Sequence, residues 1–186
     1  MKNYLLACTW MFAIVCSASA TTVIPPSFDE LVGQADVIFQ GHVTNVKSEG
    51  VGEGAQRYIV SYVTFKVEEA LKGNPGQSYT IRMLGGTIAG ETMAVSDAPK
   101  FRVGDKDILF VQNNGSQFIP LVGIMHGRFH VRTNKSGLQI VTNSEDESVK
   151  NVAHLGKIVS APSAEEPDLS AADFKTAVKN KLQRQQ

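Results

Sequence analysis

The chain has 186 residues, and its 18 basic and 18 acidic side chains give a formal net charge of zero. Because neither charge sign forms a long run, the sequence lacks the electrostatic footprint that nucleic-acid binding requires. Both cysteines, Cys8 and Cys16, lie in the first twenty residues. The rest of the chain therefore has no disulfide, no thiolate zinc site and no cysteine nucleophile.

The first twenty residues have the three-part pattern of a secretory signal peptide. Lys2 precedes an apolar run over residues 5–15, and residues 18–20 (Ala-Ser-Ala) are small where a signal peptidase cuts. The apolar run is too short for a permanent membrane span, and no later stretch is long and apolar enough for one. We therefore predict cleavage after Ala20 and a secreted protein, periplasmic or extracellular, without a membrane span.

A short helix is predicted soon after this segment. Pro25 and Pro26 keep the start of the mature chain extended, because proline disfavours helix for itself and for the preceding residue. Ser27 and Glu30 have the spacing of a capping box, in which each side chain bonds the backbone amide of the other residue. The pattern predicts a helix over Phe28–Gln34.

Strands separated by turn residues make up most of the following sequence. Alternation or short apolar runs predict strands over residues 37–44, 58–69, 79–84, 108–112, 118–122, 129–133 and 138–142. The Gly-, Ser- and Glu-rich residues 46–56 are predicted to form a mobile loop. Residues 113–116 and 134–137 carry turn signals, which predict two hairpins.

The C-terminal part is predicted to be a polar linker and a helix. The linker contains Pro162, Pro167 and several acids, as is typical of a loose surface arm. In the helix, Phe174, Val178 and Leu182 recur four apart and form one narrow apolar stripe. Docking of this stripe on the β domain is favoured over binding to a partner. The predicted boundaries are 1–20 (signal peptide), 21–143 (β domain with a hairpin extension), 144–167 (linker) and 168–186 (helix).

The sequence contains none of the common catalytic or metal-binding motifs. It lacks a nucleophile elbow, an H-E-x-x-H zinc motif, a phosphate-binding loop and a dinucleotide fingerprint. His126 and His130 are four residues apart, but the alternation around them indicates a strand, where that spacing separates the side chains by about 13 Å. We therefore predict no catalytic residue, no metal and no cofactor.

Several segments follow one another in a characteristic order. They are residues 21–26 (TTVIPP), 35–38 (ADVI), 58–67, 68–73 (EEALKG) and 103–110 (VGDKDILF). Their order and spacing resemble the tissue inhibitors of metalloproteinases, which belong to the netrin-like module family. The resemblance covers residues 21–111, about half of the mature chain, and implies an OB-like barrel.

The resemblance also implies a binding mode. In these inhibitors the amino group and carbonyl of the first mature residue chelate the zinc of the protease, and the second side chain enters its specificity pocket. By this resemblance Thr21 chelates the zinc, Thr22 enters the pocket, and Val23 and Ile24 line the cleft. The inhibitors begin with cysteine and hold this segment by disulfides, whereas this chain has no cysteine after Cys16.

The expected fold is mainly β: an OB-like (netrin-like) barrel with an extra hairpin, a short N-terminal helix and a C-terminal helix. The expected function is that of a secreted, non-enzymatic binding module, a partner or inhibitor of a zinc metalloprotease. The alternative is an OB-type binder of carbohydrate or another envelope polymer through Tyr58 and Tyr62, whose rings lie on the polar face of a predicted strand. An enzyme comes third, because no set of nucleophile and base stands out.

Overall fold

The computed structural model describes residues 25–157 and 166–185, which form a mainly β structure with two helices. In chain order the elements are α1 (Phe28–Gln34), β1 (Val37–Val51), β2 (Tyr58–Lys72), β3 (Ser78–Leu84), β4 (Gly86–Ile88), β5 (Glu91–Met93), β6 (Lys106–Val111), β7 (Arg128–Thr133), β8 (Gln139–Thr142) and α2 (Ala171–Gln183). The mainly β class and the helices at both ends of the β region are therefore confirmed.

The predicted signal peptide, residues 1–20, lies outside the described residues. Among the residues that the structure does describe, no helix is long and apolar enough to cross a membrane.

Six strands form one antiparallel sheet in the order β3-β2-β1-β6-β7-β8, and β4 pairs with β5 in a separate hairpin. Within the described ranges the large sheet does not close on itself into a barrel. The outer edge of β3 is instead covered by the chain that follows β6. There the Leu84 amide donates to the Phe118 carbonyl at 2.7 Å, and the Arg82 amide donates to Asn114 Oδ1 at 3.1 Å.

Two local predictions are wrong. Residues 46–51 are not a mobile loop but the end of β1, because they pair residue by residue with the start of β2. The buried side of this two-stranded ribbon includes Ile59 and Val63 of β2, so β1 does not need an apolar alternation there. Residues 118–122 do not form the predicted strand; within them Leu121 forms an isolated bridge with Val111. A longer ladder does not form because Pro120 has no amide to donate.

The sheet is buried on both faces over β1 and β6. Because side chains alternate along a strand, Ile38 packs into one core and Phe39 into the other, and Phe110 and Leu109 of β6 divide in the same way. This double burial explains why β6 reads as a continuous apolar run.

The first core lies between the sheet and the two helices. Phe174 of α2 packs at ring-centroid distances of 4.9 Å from Phe129, 6.0 Å from Phe28 and 6.2 Å from Phe110. The second core lies on the opposite face of the sheet, where Phe65 packs at 5.5 Å from both Phe39 and Phe101.

Polar contacts cap the start of α1 and hold both helices to β2 of the sheet. The predicted capping box of α1 is confirmed: Ser27 Oγ accepts from the Glu30 amide, and the Glu30 carboxylate accepts from the Ser27 amide at 2.8 Å. At the other end of α1, Lys72 Nζ donates to the Val32 carbonyl at 2.8 Å. On α2, Lys175 and Lys179 each donate to Glu69 of β2 at 2.6 Å.

Candidate functional site

The described residues begin directly after residues 21–24, the segment that the sequence analysis predicts to contact a protease. Thr21, Thr22, Val23 and Ile24 lie outside the described residues. Pro25 is therefore the first described position after the predicted contact segment.

Two glycines pack closely against Pro26 and Ser27, the residues that follow Pro25. A Cβ added to Gly123 would lie 2.8 Å from Pro26 Cδ, and a Cβ added to Gly156 would lie 2.5 Å from the Ser27 nitrogen. Both glycines also have positive φ angles, 62° and 75°, which side chains disfavour. Two loops can approach Pro26 and Ser27 this closely because they carry glycine. We call Pro26, Ser27, Gly123 and Gly156 the N-terminal anchor.

The anchor borders a cleft of about 510 Å³, here named the N-terminal cleft. Pro25, Pro26, Phe129 and His126 form part of its lining. Burial lowers the pKa of His126 below its usual value, because a desolvated imidazolium is disfavoured; the nearby carboxylates of Glu145 and Asp97 act in the opposite direction. The cleft therefore presents apolar surface and a histidine whose neutral form is favoured.

A second cleft of about 380 Å³ shares Ser144 with the first and contains a network that the sequence analysis missed. Asp107 is fully buried and accepts a hydrogen bond from Arg128 Nε at 3.1 Å, and Arg128 Nη2 forms an ion pair with the same oxygen at 3.0 Å. His130 Nδ1 donates to the other oxygen of the same carboxylate at 2.7 Å. We call Asp107, Arg128 and His130 the buried network.

Arg128 also connects the network to the chain before β6. Its Nη1 donates to the Lys100 carbonyl and its Nη2 to Asp105 Oδ2, each at 2.7 Å. The guanidinium carbon lies 4.0 Å from the centre of the Phe101 ring, a cation–π distance. Arg128 therefore fixes the position of Phe101, which covers one end of the second core.

The buried network defines what the second cleft can do chemically. Because Nδ1 of His130 is hydrogen-bonded to Asp107, the ring nitrogen that remains for a ligand is Nε2. This nitrogen can form one hydrogen bond with a ligand or transfer one proton. Ser144 is a cleft-lining hydroxyl, but no hydrogen bond joins it to His130 in the described structure. No group of three or more His, Cys, Asp or Glu within residues 25–157 and 166–185 is placed to hold a metal ion.

The interpretation that His126 and His130 share one strand is wrong. His130 lies on β7, but His126 lies in a 3-10 turn, Ile124–Gly127. The chain turns there because Gly127 approaches Val122 closely: a Cβ at Gly127 would lie 2.7 Å from the Val122 carbonyl oxygen. The carboxylate that His130 needs comes from Asp107, its cross-strand partner on β6. A correct strand register would have revealed this pair, but periodicity alone does not specify the register.

The two predicted ligand-binding tyrosines lie on β2, and both are half-buried. Tyr62 lies between Lys47 of β1 and Arg82 of β3 in the register of the sheet. Arg82 Nη2 also lies 3.5 Å from the hydroxyl of Tyr58. The structure therefore brings both tyrosines to one arginine.

No protein-family model and no curated protein matches this chain.

Proposed function

We propose that the mature chain is a secreted, non-enzymatic binding module on an OB-like (netrin-like) barrel, and that residues 21–24 contact the active site of a zinc metalloprotease. The N-terminal anchor is the observation that carries this proposal. An inserting segment binds tightly when its base is already ordered, because less conformational entropy is lost on binding. In the inhibitors that the sequence resembles, disulfides hold this base; here Gly123 and Gly156 close on Pro26 and Ser27.

The strand order supports the OB-like part of the proposal. β1, β2 and β3 are consecutive neighbours, and β6 returns to lie beside β1. This order, 4-1-2-3 for the four strands, is the Greek key. The OB fold is a five-stranded, partly open Greek-key barrel, and β7 beside β6 supplies the fifth strand.

The chemistry of the first mature residue also supports the proposal. An α-amino group has a pKa of about 7.7–8.0, so a useful fraction is neutral at physiological pH and can bind zinc. Chelation through this amine requires that the chain begin at Thr21. The mechanism therefore depends on cleavage after Ala20.

The first experiment compares inhibition of a panel of zinc metalloproteases by the chain that begins at Thr21 and by the same chain with one alanine added before Thr21. We expect inhibition by the first form and a loss of inhibition with the extension, because the added residue displaces the amine from the zinc. Equal inhibition by both forms, or none by either, would contradict the proposal.

A second experiment tests the anchor itself. Gly156→Ala places a methyl group against Ser27, whereas Gly137→Ala introduces the same residue at a similar φ of 79° with no atom within 4 Å. Both variants carry the same backbone strain, so a difference between them reports the contact with Ser27. We expect inhibition to weaken in Gly156→Ala and to persist in Gly137→Ala, when both are measured at a temperature where both are folded.

The second candidate function is binding of carbohydrate or another envelope polymer through Tyr58 and Tyr62. The observation in its favour is that Arg82 lies opposite Tyr62 in the sheet and 3.5 Å from the Tyr58 hydroxyl, because an arginine beside aromatic rings offers hydrogen bonds next to a stacking surface. Replacing both tyrosines with alanine should weaken polymer binding in a pull-down, while Phe118→Ala, at an exposed aromatic residue in the loop after β6, should leave it unchanged. Unchanged binding by the folded double variant would exclude this surface.

A further inference from the structure

One edge of β1 is paired over its first half, but no described residue pairs with it beyond Val43. On this side β1 pairs with β6 from Val37 to His42. Val43 then donates its amide to the Asp105 carbonyl and accepts from the Gly104 amide, both at 2.8 Å. Beyond Val43, no backbone hydrogen bond from the described residues reaches this edge.

The backbone groups that face this edge belong to Val46, Ser48 and Gly50. Gly50 lies opposite Ile59 of β2. Ile59 directs both of its groups away from β1: its carbonyl accepts from the Gly85 amide at 2.7 Å, and its amide lies 3.4 Å from Met93 Sδ. Gly50 therefore forms a non-hydrogen-bonded pair with Ile59, and its own N–H and C=O groups point away from β2. Because bonded and non-bonded pairs alternate along an antiparallel ladder, the backbone groups of Ser48 and Val46 point the same way.

The two outermost strands of the same sheet are covered, in contrast to β1. The loop after β6 bonds the edge of β3, and on β8 the Val141 amide donates to the Leu169 carbonyl at 3.1 Å. An open row of N–H and C=O groups is a template for pairing with another chain, so proteins usually cover or interrupt such rows. The uncovered row on β1 is therefore a candidate interaction surface, and Val46 on it is 37% exposed.

We propose that this edge pairs with the same edge of a second copy of the chain, antiparallel and centred on Ser48. In this register Val46 lies opposite Gly50 of the second copy, so outward-facing groups meet outward-facing groups. Lys47, which contacts Glu49 of its own chain at 2.5 Å, lies opposite Glu49 of the second copy, so the two copies together form a symmetric cluster of two lysines and two glutamates. The sequence Lys-Ser-Glu around the centre is thus complementary to itself.

The same charges exclude the neighbouring registers. Sliding one strand by two residues, the smallest slip that keeps the hydrogen bonds, places Lys47 opposite Lys47 or Glu49 opposite Glu49. Like charges directly opposite each other destabilise a strand pair. Charge therefore selects the register centred on Ser48, which favours a second copy over an unrelated peptide as the occupant.

The test uses the chain that begins at Thr21 and measures its mass by sedimentation equilibrium over a range of concentrations. We expect a dimer that dissociates on dilution. Lys47→Glu and Glu49→Lys should each be monomeric, because each places like charges opposite each other. An equal mixture of the two single variants should form a heterodimer, and the double variant K47E/E49K should dimerise like the parent. Lys135→Glu, at an exposed lysine in the β7–β8 turn, is the matched control and should remain dimeric.

Amide exchange locates the contact. In the dimer, exchange at the Val46, Ser48 and Gly50 amides should slow with rising protein concentration, whereas the Lys47 amide, which faces β2, should be protected at every concentration. A parent chain that is monomeric throughout overturns the proposal, including the case in which the edge binds an extended peptide from another protein. Dimerisation that the single charge reversals leave unchanged overturns it as well.

Discussion

Asp107 places its carboxyl group at a position with no solvent exposure, and its two oxygens accept hydrogen bonds from Arg128 and His130. Isolating a charge in a protein interior is strongly unfavourable, so each partner of such a network depends on the others. The network also fixes Arg128 over Phe101, which links one charge to the packing of the second core. We therefore regard the buried network first as a structural support of the second cleft.

Replacing Asp107 with asparagine should lower the free energy of unfolding by about 3–5 kcal/mol, because it removes the buried carboxylate of the network and leaves the buried Arg128 guanidinium with Asp105 as its one remaining carboxylate partner. Urea unfolding of the purified variant measures this change. The matched control is Asp146→Asn, which removes a carboxylate from an exposed pair with Arg132 and should cost less than about 1 kcal/mol. Similar losses in both variants would mean that burial does not determine the effect.

At the scale of single elements, α2 is held by an apolar stripe on one side and by ion pairs with Glu69 on the other. Phe174 has no exposed surface and packs against three other phenylalanine rings. Helices in globular proteins gain most of their stability from such packing of an amphipathic face. The position of α2 on the sheet therefore depends mainly on Phe174.

Phe174→Ala should lower the free energy of unfolding by about 3–5 kcal/mol, the usual cost of removing a buried phenylalanine ring. Phe118→Ala makes the same substitution at a ring that is 72% exposed and should change stability by about 0.5 kcal/mol or less. Urea unfolding followed by circular dichroism compares the two. A small loss for Phe174→Ala would show that α2 is not part of the cooperative core.

The ion pairs of α2 predict a dependence on pH. Hydrogen bonds from Lys175 and Lys179 lower the pKa of Glu69 below its usual value of 4.5. The contribution of Glu69 is therefore fully present above that value and is lost as the pH falls through the lower pKa of the folded state. Because Glu69 is partly exposed, solvent screening keeps the effect small.

The comparison that isolates this effect is the parent chain against Glu69→Gln, unfolded by urea at about pH 7 and at about pH 3. At the higher pH we expect the parent to have a larger free energy of unfolding than Glu69→Gln. At the lower pH we expect this difference between the two chains to shrink. A difference that stays constant between the two pH values would contradict the assignment.

At the scale of the whole molecule, β1 and β6 supply side chains to both cores. Unfolding of one core would therefore disrupt two strands on which the other core depends. Small domains built in this way usually unfold in one cooperative step. The tyrosines after the predicted signal peptide are Tyr58, Tyr62 and Tyr79, which all lie on β2 and β3, and the single tryptophan is Trp10. Tyr79 packs against the second core, so tyrosine fluorescence of the chain that begins at Thr21 reports on β2, on β3 and, through Tyr79, on that core.

We expect the urea transitions of the chain that begins at Thr21 to coincide when they are followed by tyrosine fluorescence and by the helical signal in circular dichroism, to which α1 and α2 of the first core contribute. Coincidence follows from the strands that the two cores share. Two separate midpoints would show that the cores unfold independently.

Local signals explain which parts of this fold could be predicted. The capping box at Ser27 and Glu30 and the turn residues between β7 and β8 act within a few residues, and the helix and hairpin occur where they indicate. The end of β1 over residues 46–51 was missed because its polar sequence is shaped by its partner strand. Its stability depends on pairing with β2, which periodicity in β1 does not report.

The candidate sites could be predicted less well, because they depend on contacts between distant residues. The sequence places His130 near His126 alone, whereas the side chain that bonds His130 is Asp107, which reaches it through strand register. Gly156 meets Ser27 across most of the chain, and nothing in the sequence around either residue indicates that contact. The predicted contact residues Thr21 and Thr22 came from a family resemblance, and their role stays a prediction.

The N-terminal anchor has a consequence for how this protein can be handled. It acts through close packing of Gly123 on the Pro26 ring and of Gly156 on the Pro26–Ser27 backbone, and the chain after Cys16 contains no thiol. Neither reducing agents nor oxidative refolding should therefore affect the fold, and the chain that begins at Thr21 should fold as well in the reducing cytoplasm of an expression host as in an oxidising compartment.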